Sequence, residues 1–290
     1  MNELGARDEP LAKHTSLRIG GPADFFIRVR SEDDLLGAVR VAREAELPTF
    51  ILGGGTNLLV ADAGIRGVVL ENGWNEVTVR GTVLDAASGT PLASVAAAAA
   101  RNGIIGLEWM ATVPGTVGGA VHGNAGAFGS ETAEALLDAR LLDLNGDQWV
   151  ARVDELGYGY RTSNLQGTPV MVVRARFHGE PGDRSTAVRR IKEMANERIE
   201  KQPLAQPNTG SIFRNPPGDH AGRLIEAAGL KGARIGDAVV SEKHANFIVN
   251  TGAARAADVR TLIARCQAEV KARFGVDLVP EVEMVGEWGT

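Results

Sequence analysis

The chain has one cysteine, Cys266, among 290 residues. No internal disulfide can form, and a reduced, cytoplasmic setting is the natural reading. Leu262, Ile263 and Val270 surround that cysteine with the pattern of a buried helical thiol rather than a nucleophile. No apolar run approaches the roughly 18 uncharged residues of a membrane span, and the segment 1–8 is polar and acidic, which fits no secretory signal. The five histidines lack metal-ligand spacing, so no metal is expected. A net charge of −5 argues against general nucleic-acid binding. The sequence also lacks both G-x-G-x-x-G and G-x-x-x-x-G-K-[ST], which excludes the usual Rossmann and P-loop routes to a bound nucleotide.

Glycine, by contrast, is concentrated. Pro114-Gly115-Thr116-Val117-Gly118-Gly119-Ala120 is followed at once by Asn124-Ala125-Gly126, and Gly53-Gly54-Gly55-Thr56-Asn57 follows the apolar run Phe50-Ile51-Leu52. Glycine has no Cβ to block close approach and reaches the positive φ values that aim successive amides into one concavity, as backbones do when they grip a pyrophosphate. Two such loops suit one extended dinucleotide; two turns that hold no ligand are the alternative. From Arg184 to Arg214 seven Lys/Arg stand against three Glu, an excess that could draw an anionic small molecule or be a solvated helix face.

The length permits two or three domains. Ser31-Glu32-Asp33-Asp34 opens a helix as a capping-box variant, with Leu35, Leu36, Val39 and Ala42 as its apolar stripe, and strands follow at Phe50–Leu52 and Val68–Leu70. A middle α+β unit contains an alternating segment at 76–86, an alanine-rich helix over 91–101 stopped by Asn102-Gly103, strands near 141–144 and 148–153 joined by a type I′ turn at Asn145-Gly146, and a strand over 170–177. The helix 185–200 has Val188, Ile191, Ala195 and Ile199 facing inward, and Pro203 and Pro207 suit an inter-domain joint. Helices over 221–228 and 257–274, a strand over 245–250 and one after Pro280 complete the chain. There is no internal repeat.

Nearly the whole sequence resembles the UDP-N-acetylenolpyruvoylglucosamine reductase (MurB) family, in its shorter type without the long insertion. The likeness runs through Thr15–Ala23, Leu52–Leu59, Gly106–Trp109, Pro114–Gly119, Asn124–Gly126, Tyr160–Ser163, Gly210–Pro216, Ser241–Phe247 and Pro280–Val282. It departs where Thr56 replaces the commoner serine and where Ala86-Ala87-Ser88-Gly89 replaces A-G-A-G, so Ser88 is not expected to contact flavin. The resemblance implies an α+β, FAD-binding fold: two α/β subdomains, 1–72 and 73–186, clasp the flavin, and a third α+β domain, 187–290, binds substrate.

It implies noncovalent FAD, with NADPH as hydride donor and a UDP-sugar as the other substrate, the product serving peptidoglycan precursor synthesis. Arg161 is expected as the cation facing the substrate carboxylate, Ser211 as proton donor, and Glu281 as the carboxylate completing the set. Cofactor contacts are expected from Gly53, Gly54, Gly55, Thr56, Asn57, Gly115, Thr116, Gly118, Gly119, Asn124 and Gly126. Substrate contacts are expected from Lys201, Arg214, Asn215 and His244. No nucleic acid, membrane or obligate protein partner is expected. Two rivals remain: a flavin oxidase of the same clasp fold, and a nucleotide-sugar sensor that kept the scaffold without turnover.

Overall fold

The computed structural model describes residues 5–289. The chain forms two compact units. The first comprises 26–54 and 67–197 together with the segment up to Ala6; the second comprises 7–25, 55–66 and 198 onwards. Three units were expected, with a border at residue 187. The border found here falls at 197/198, inside a helix, because that helix packs its first turns on one core and its last residues belong to the other. The expected subdomain 1–72 is itself divided, since 7–25 and 55–66 belong with the C-terminal part of the chain.

Helix α1 (Glu32–Glu44) connects two strands, Pro22–Val29 and Thr49–Leu52. The Ser31 hydroxyl accepts the Asp34 amide at 3.1 Å, and the Asp34 carboxylate accepts the Arg30 amide at 2.9 Å, so the expected cap forms with its return bond one residue earlier than in the usual box. Thr49–Leu52 runs parallel to Ile65–Asn72, Phe50 lying opposite Val69. Buried Val29, Leu35, Val39, Leu52 and Leu70 fill this layer.

The larger sheet of the first unit has five strands in the order Gln148–Arg152, Leu136–Asp143, Val170–His178, Val83–Ala87, Val77–Arg80, every neighbouring pair antiparallel. Helix α2 (Leu92–Arg101) buries Val95, Ala96, Ala98 and Ala99 in the same core as Leu84, Leu141 and Phe177. Its alanines serve as small packing residues as well as good helix formers. The turn after Asp143 differs from the one expected. Gly146 alone has positive φ, its amide donates to the Asp143 carbonyl, and the Asp143 carboxylate accepts the amides of Asn145 and Asp147. With that side chain supplying acceptors, a four-residue loop replaces the two-residue type I′ turn.

Two short helices, α3 (Val117–Gly123) and α4 (Thr132–Ala135), carry the second glycine loop, and α5 (Arg184–Lys201) closes the unit. Ala187 is buried in α5, and Ile191 and Met194 pack against the core, whereas Val188 and Ile199 are exposed. The stripe 187–191–194 keeps helical spacing but is rotated from the one read in the sequence, because a surface helix needs only a narrow apolar contact.

The second unit packs α6 (Ala221–Ala227) and α7 (Ala256–Phe274) with a three-stranded antiparallel sheet of Arg234–Ile235, Ala238–Val240 and Ile248–Asn250. A separate parallel pair joins Leu58–Val60 to Glu283–Val285. The shared core includes Leu59, Phe213, Leu224, Val259, Leu262 and Cys266. Asp62 caps α7 from far along the chain, its carboxylate accepting the amides of Ala256 and Ala257 at 2.8 and 3.1 Å. Burial pushes the Cys266 thiol up to about 11, as an inert structural cysteine requires. No helix among the described residues is long and apolar enough to cross a membrane.

Candidate functional site

In the first unit Gly53, from the first glycine loop, passes close to the second loop. A Cβ built on Gly53 would lie 2.7 Å from Thr116 Oγ1, so only glycine lets the first loop pass the second at this distance. The loop 114–119 is itself pinned: the amides of Val117 and Gly118 donate to the carbonyls of Thr90 and Ser88 at 2.9 and 2.8 Å. Gly118 therefore contributes shape rather than a donor, and a Cβ there would press on Ser88 at 3.1 Å. Ser88 is buried at 2% exposure and accepts the Asn72 side-chain amide at 2.7 Å, a supporting role the sequence did not reveal. The amides of Gly54, Gly55 and Asn57 make no hydrogen bond among the described residues, and Gly55 has φ +60. Amides free of protein partners among the described residues, on a loop of glycines, suit a flat, anionic cofactor.

Asn124 ends α3 in the left-handed conformation, φ 46 and ψ 55. Its side chain is fully buried, donating to the Gly159 carbonyl at 2.9 Å and accepting the Ala133 amide at 3.0 Å. It holds the loop in shape, which leaves its backbone as the part able to meet a ligand. Gly126 lies in a two-residue strand paired with Ser130–Glu131, where a Cβ would collide with Glu131.

Arg161 stands in a tight turn. Gly159 and Thr162 exchange both backbone hydrogen bonds at 3.1 Å, with Tyr160 and Arg161 between them, and Arg161 has φ +58. That is a glycine's place in a turn of this kind, and holding a residue with a side chain in it is a local strain of the sort found at functional positions. The turn is stapled to the segment 121–126 at four points: Tyr158 hydroxyl to the Val121 carbonyl (2.9 Å), Ser163 hydroxyl to His122 (2.6 Å), Asn124 to Gly159, and the Arg161 guanidinium to the carbonyls of Asn124 (3.3 Å) and Gly126 (2.6 Å). The guanidinium also lies 5.1 Å from the centre of the Tyr160 ring. Burial pushes the Tyr158 phenol above its ordinary range, so it stays a neutral donor.

In the second unit Ser211 and Glu281 come from segments seventy residues apart in sequence yet are joined by backbone. The Glu281 amide donates to the carbonyl of Ile212, the residue after Ser211, at 2.8 Å, and the Arg214 amide donates to Val279 at 2.9 Å. Asn246 fixes the same segment: its side chain accepts the Phe213 amide at 3.0 Å and donates to the Phe213 carbonyl at 2.8 Å. The loop residues 55–57 belong to this assembly. Gly55 accepts the Ser16 amide at 3.0 Å, the Ser16 hydroxyl donates to the Asn208 carbonyl at 2.6 Å, and Asn57 donates to Glu281. The Ser211 hydroxyl makes no hydrogen bond to any described residue.

Of the expected substrate contacts, Arg214 has a buried Nε without a partner among the described residues, and Thr209 has a buried hydroxyl in the same condition. Both sit beside Ser211 in sequence. Asn215 uses its oxygen to accept the Ala221 amide at the start of α6 (3.1 Å), leaving its amide nitrogen as a donor. His244 Nδ1 accepts the Asn246 amide at 3.3 Å and the ring packs edge-on against Phe247, so much of its structural role is local. Lys201 is exposed at the end of α5. A cavity of about 570 Å³ in this unit is lined by Ile199, Leu204, Arg234 and Lys243, and contains none of Ser211, Arg214 or Glu281.

Comparison with known proteins adds independent evidence. Residues 23–152 match the FAD binding domain family, and residues 202–285 match the C-terminal domain of UDP-N-acetylenolpyruvoylglucosamine reductase. A relative from Symbiobacterium thermophilum, named UDP-N-acetylenolpyruvoylglucosamine reductase 2, is 45% identical over 285 residues, covering 98% of this chain and 92% of its own. The chain belongs to the UDP-N-acetylenolpyruvoylglucosamine reductase family. A second member, from Caldanaerobacter subterraneus, is 44% identical over 281 residues, covering 97% of this chain and 93% of its own. The crystal structure of the Thermus caldophilus MurB superposes with a TM-score of 0.84 at 36% identity, covering 97% of this chain and 99% of that one. The expected α+β, FAD-binding fold holds, and the chain is an FAD-dependent oxidoreductase.

Proposed function

We propose that the chain reduces UDP-N-acetylglucosamine enolpyruvate to UDP-N-acetylmuramate with NADPH, in peptidoglycan precursor synthesis. The observation that carries this reading is the backbone joint between Ser211 and Glu281. It supports the reading by tying the two chain segments together in the unit that also holds Gly55–Asn57, and the Ser211 hydroxyl makes no hydrogen bond to a described residue. The chemistry a bound FAD would supply is hydride transfer, from NADPH to one alkene carbon of the enolpyruvyl group. The Gly53–Asn57 loop and the Thr116 segment would hold it, for the reasons of shape given above.

Addition at one carbon builds negative charge on the conjugated carboxylate while the other carbon awaits a proton. Arg161 opposes that charge: a guanidinium stays protonated and offers two parallel donors to a carboxylate, and the four staples on its turn fix its direction in advance. Ser211 delivers the proton from its Oγ. A hydroxyl is a weak acid, so the role needs nearby positive charge and a group that returns the proton, which Glu281 supplies. Arg214, whose buried Nε has no hydrogen-bond partner among the described residues, binds the anionic diphosphate together with Lys201, while Asn215 and His244 contact the sugar nucleotide.

Incubating the purified protein with NADPH and the enolpyruvyl sugar nucleotide, without oxygen, tests the reading. One equivalent of NADPH should disappear for each lactyl product, heavier than the substrate by two hydrogens in the mass spectrum. NADPH oxidation only in air, with peroxide formed and the sugar nucleotide unchanged, would point to the flavin oxidase. No turnover at all, with the sugar nucleotide bound, would point to the sensor.

A further inference from the structure

Glu281 is held from both sides. The peptide before it is fixed through its amide, which donates to the Ile212 carbonyl at 2.8 Å; the peptide after it is fixed through its carbonyl, which accepts the Asn57 side-chain amide at 3.0 Å. Fixing both flanking peptide planes fixes both soft dihedrals of the residue between them, and with them the direction in which its Cβ leaves the chain. The Asn57 carbonyl in turn accepts the Glu283 amide at 3.0 Å, and from there Leu58–Val60 and Glu283–Val285 continue as a parallel pair, Glu283 opposite Leu58.

Only one of these bonds depends on which side chain is present. Any residue at 57 would offer its carbonyl to Glu283, so holding the two strands together does not need asparagine. The bond to the Glu281 carbonyl needs a short side chain ending in a donor. Aspartate, of the same size, would place an acceptor against an acceptor.

We propose that Asn57 is a positioning residue for Glu281, acting through its side-chain amide, separately from any contact its backbone makes with the cofactor. This rests on the reading of Glu281 given above. A carboxylate displaced by about an ångström from a proton path can slow the step by about a hundredfold.

The test uses the flavin-loaded full chain and the variants Asn57→Ala, Asn57→Asp, Glu281→Gln and the double variant Asn57→Ala/Glu281→Gln. Rates are expressed per bound flavin. Flavin reduction by NADPH and flavin reoxidation by the enolpyruvyl substrate are followed separately by stopped flow, and amide exchange of residues 279–285 by mass spectrometry. Each Asn57 variant should slow reoxidation by about tenfold to a hundredfold more than it slows reduction. The double variant should be no slower than Glu281→Gln alone, because residues acting as one unit are not additive. Exchange at 281–283 should rise in both Asn57 variants, with or without flavin. If Asn57→Ala does not fold, the isosteric Asn57→Asp carries the comparison. Multiplied losses in the double variant, equal slowing of both half-reactions, or wild-type rates in Asn57→Asp would overturn the proposal while Glu281→Gln remains slow. A Glu281→Gln variant as fast as wild type would overturn the role of Glu281 itself, and the proposed scheme with it.

Discussion

Gly53→Ala is the sharpest probe of the cofactor cradle. The added methyl would lie 2.7 Å from Thr116 Oγ1, about 0.7 Å inside the start of ordinary contact at 3.4 Å. The obstructing atom belongs to a β-branched side chain in a segment whose neighbouring amides are bonded to Thr90 and Ser88, so it cannot swing aside freely. Overpacking of this kind costs about 1–3 kcal/mol. Charged against the closed loop, that is a loss of about 5- to 150-fold in FAD affinity. Titrating apoprotein with FAD and following the quenching of flavin fluorescence measures it. Thr116→Ala removes the obstructing oxygen and leaves the Thr116 Cβ at 3.9 Å, an ordinary distance. In that background Gly53→Ala should cost less than about threefold, a coupling of the size seen for residues in contact. Equal losses in both backgrounds, or none in either, would refute the claim that the two loops close on each other at this pair.

Arg161→Lys should lower kcat/KM by about 10²–10³-fold, measured by steady-state NADPH consumption, since one ammonium cannot reproduce a fork that bonds both Asn124 and Gly126 carbonyls. Asn246→Ala strands a buried amide and a buried carbonyl of Phe213, so urea denaturation should show a loss of about 2–5 kcal/mol. Burial holds the His244 imidazole below its ordinary value of 6.5, so the folded chain binds a proton less readily than the unfolded one. Its contribution to stability is therefore present above pH 6.5 and lost as the pH falls below that value. Urea midpoints between about pH 7.5 and 5 should decline less steeply in His244→Gln than in wild type.

Local signals were readable where local physics decides. The alanine run became α2, the glycine after residue 228 ended α6, and Ser31 capped α1. The rotated stripe on α5 was not readable, because Val188 and Ala187 offer the same helical period and only the core beneath chooses between them. The Asn145-Gly146 turn was misread because the Asp143 carboxylate supplies acceptors that a two-residue turn does not need. Division of the segment 1–72 between two units depends on partners such as Asp62 with α7, nearly two hundred residues away.

The candidate site shows the same contrast. The glycine loops announced themselves by composition, and Arg161, Ser211 and Glu281 by family resemblance. Resemblance said nothing of how each is held. The joint of Glu281 with Ile212 and Asn57, the Asn246 clasp on Phe213, and the internal use of the Asn124 side chain are long-range hydrogen bonds with no periodicity to betray them. Arg161 lies in the first unit, and Ser211 and Glu281 in the second.

The most direct measurement is an anaerobic stopped-flow trace at the flavin absorption band, comparing wild type with Ser211→Ala in each half-reaction. Wild type should bleach with NADPH and regain its colour on adding the enolpyruvyl sugar nucleotide. Ser211→Ala should bleach at the wild-type rate and recover about 10²–10⁴-fold more slowly, the range for loss of a general acid. Equal slowing of bleaching and recovery, or recovery at the wild-type rate, would contradict the assignment of the proton to Ser211.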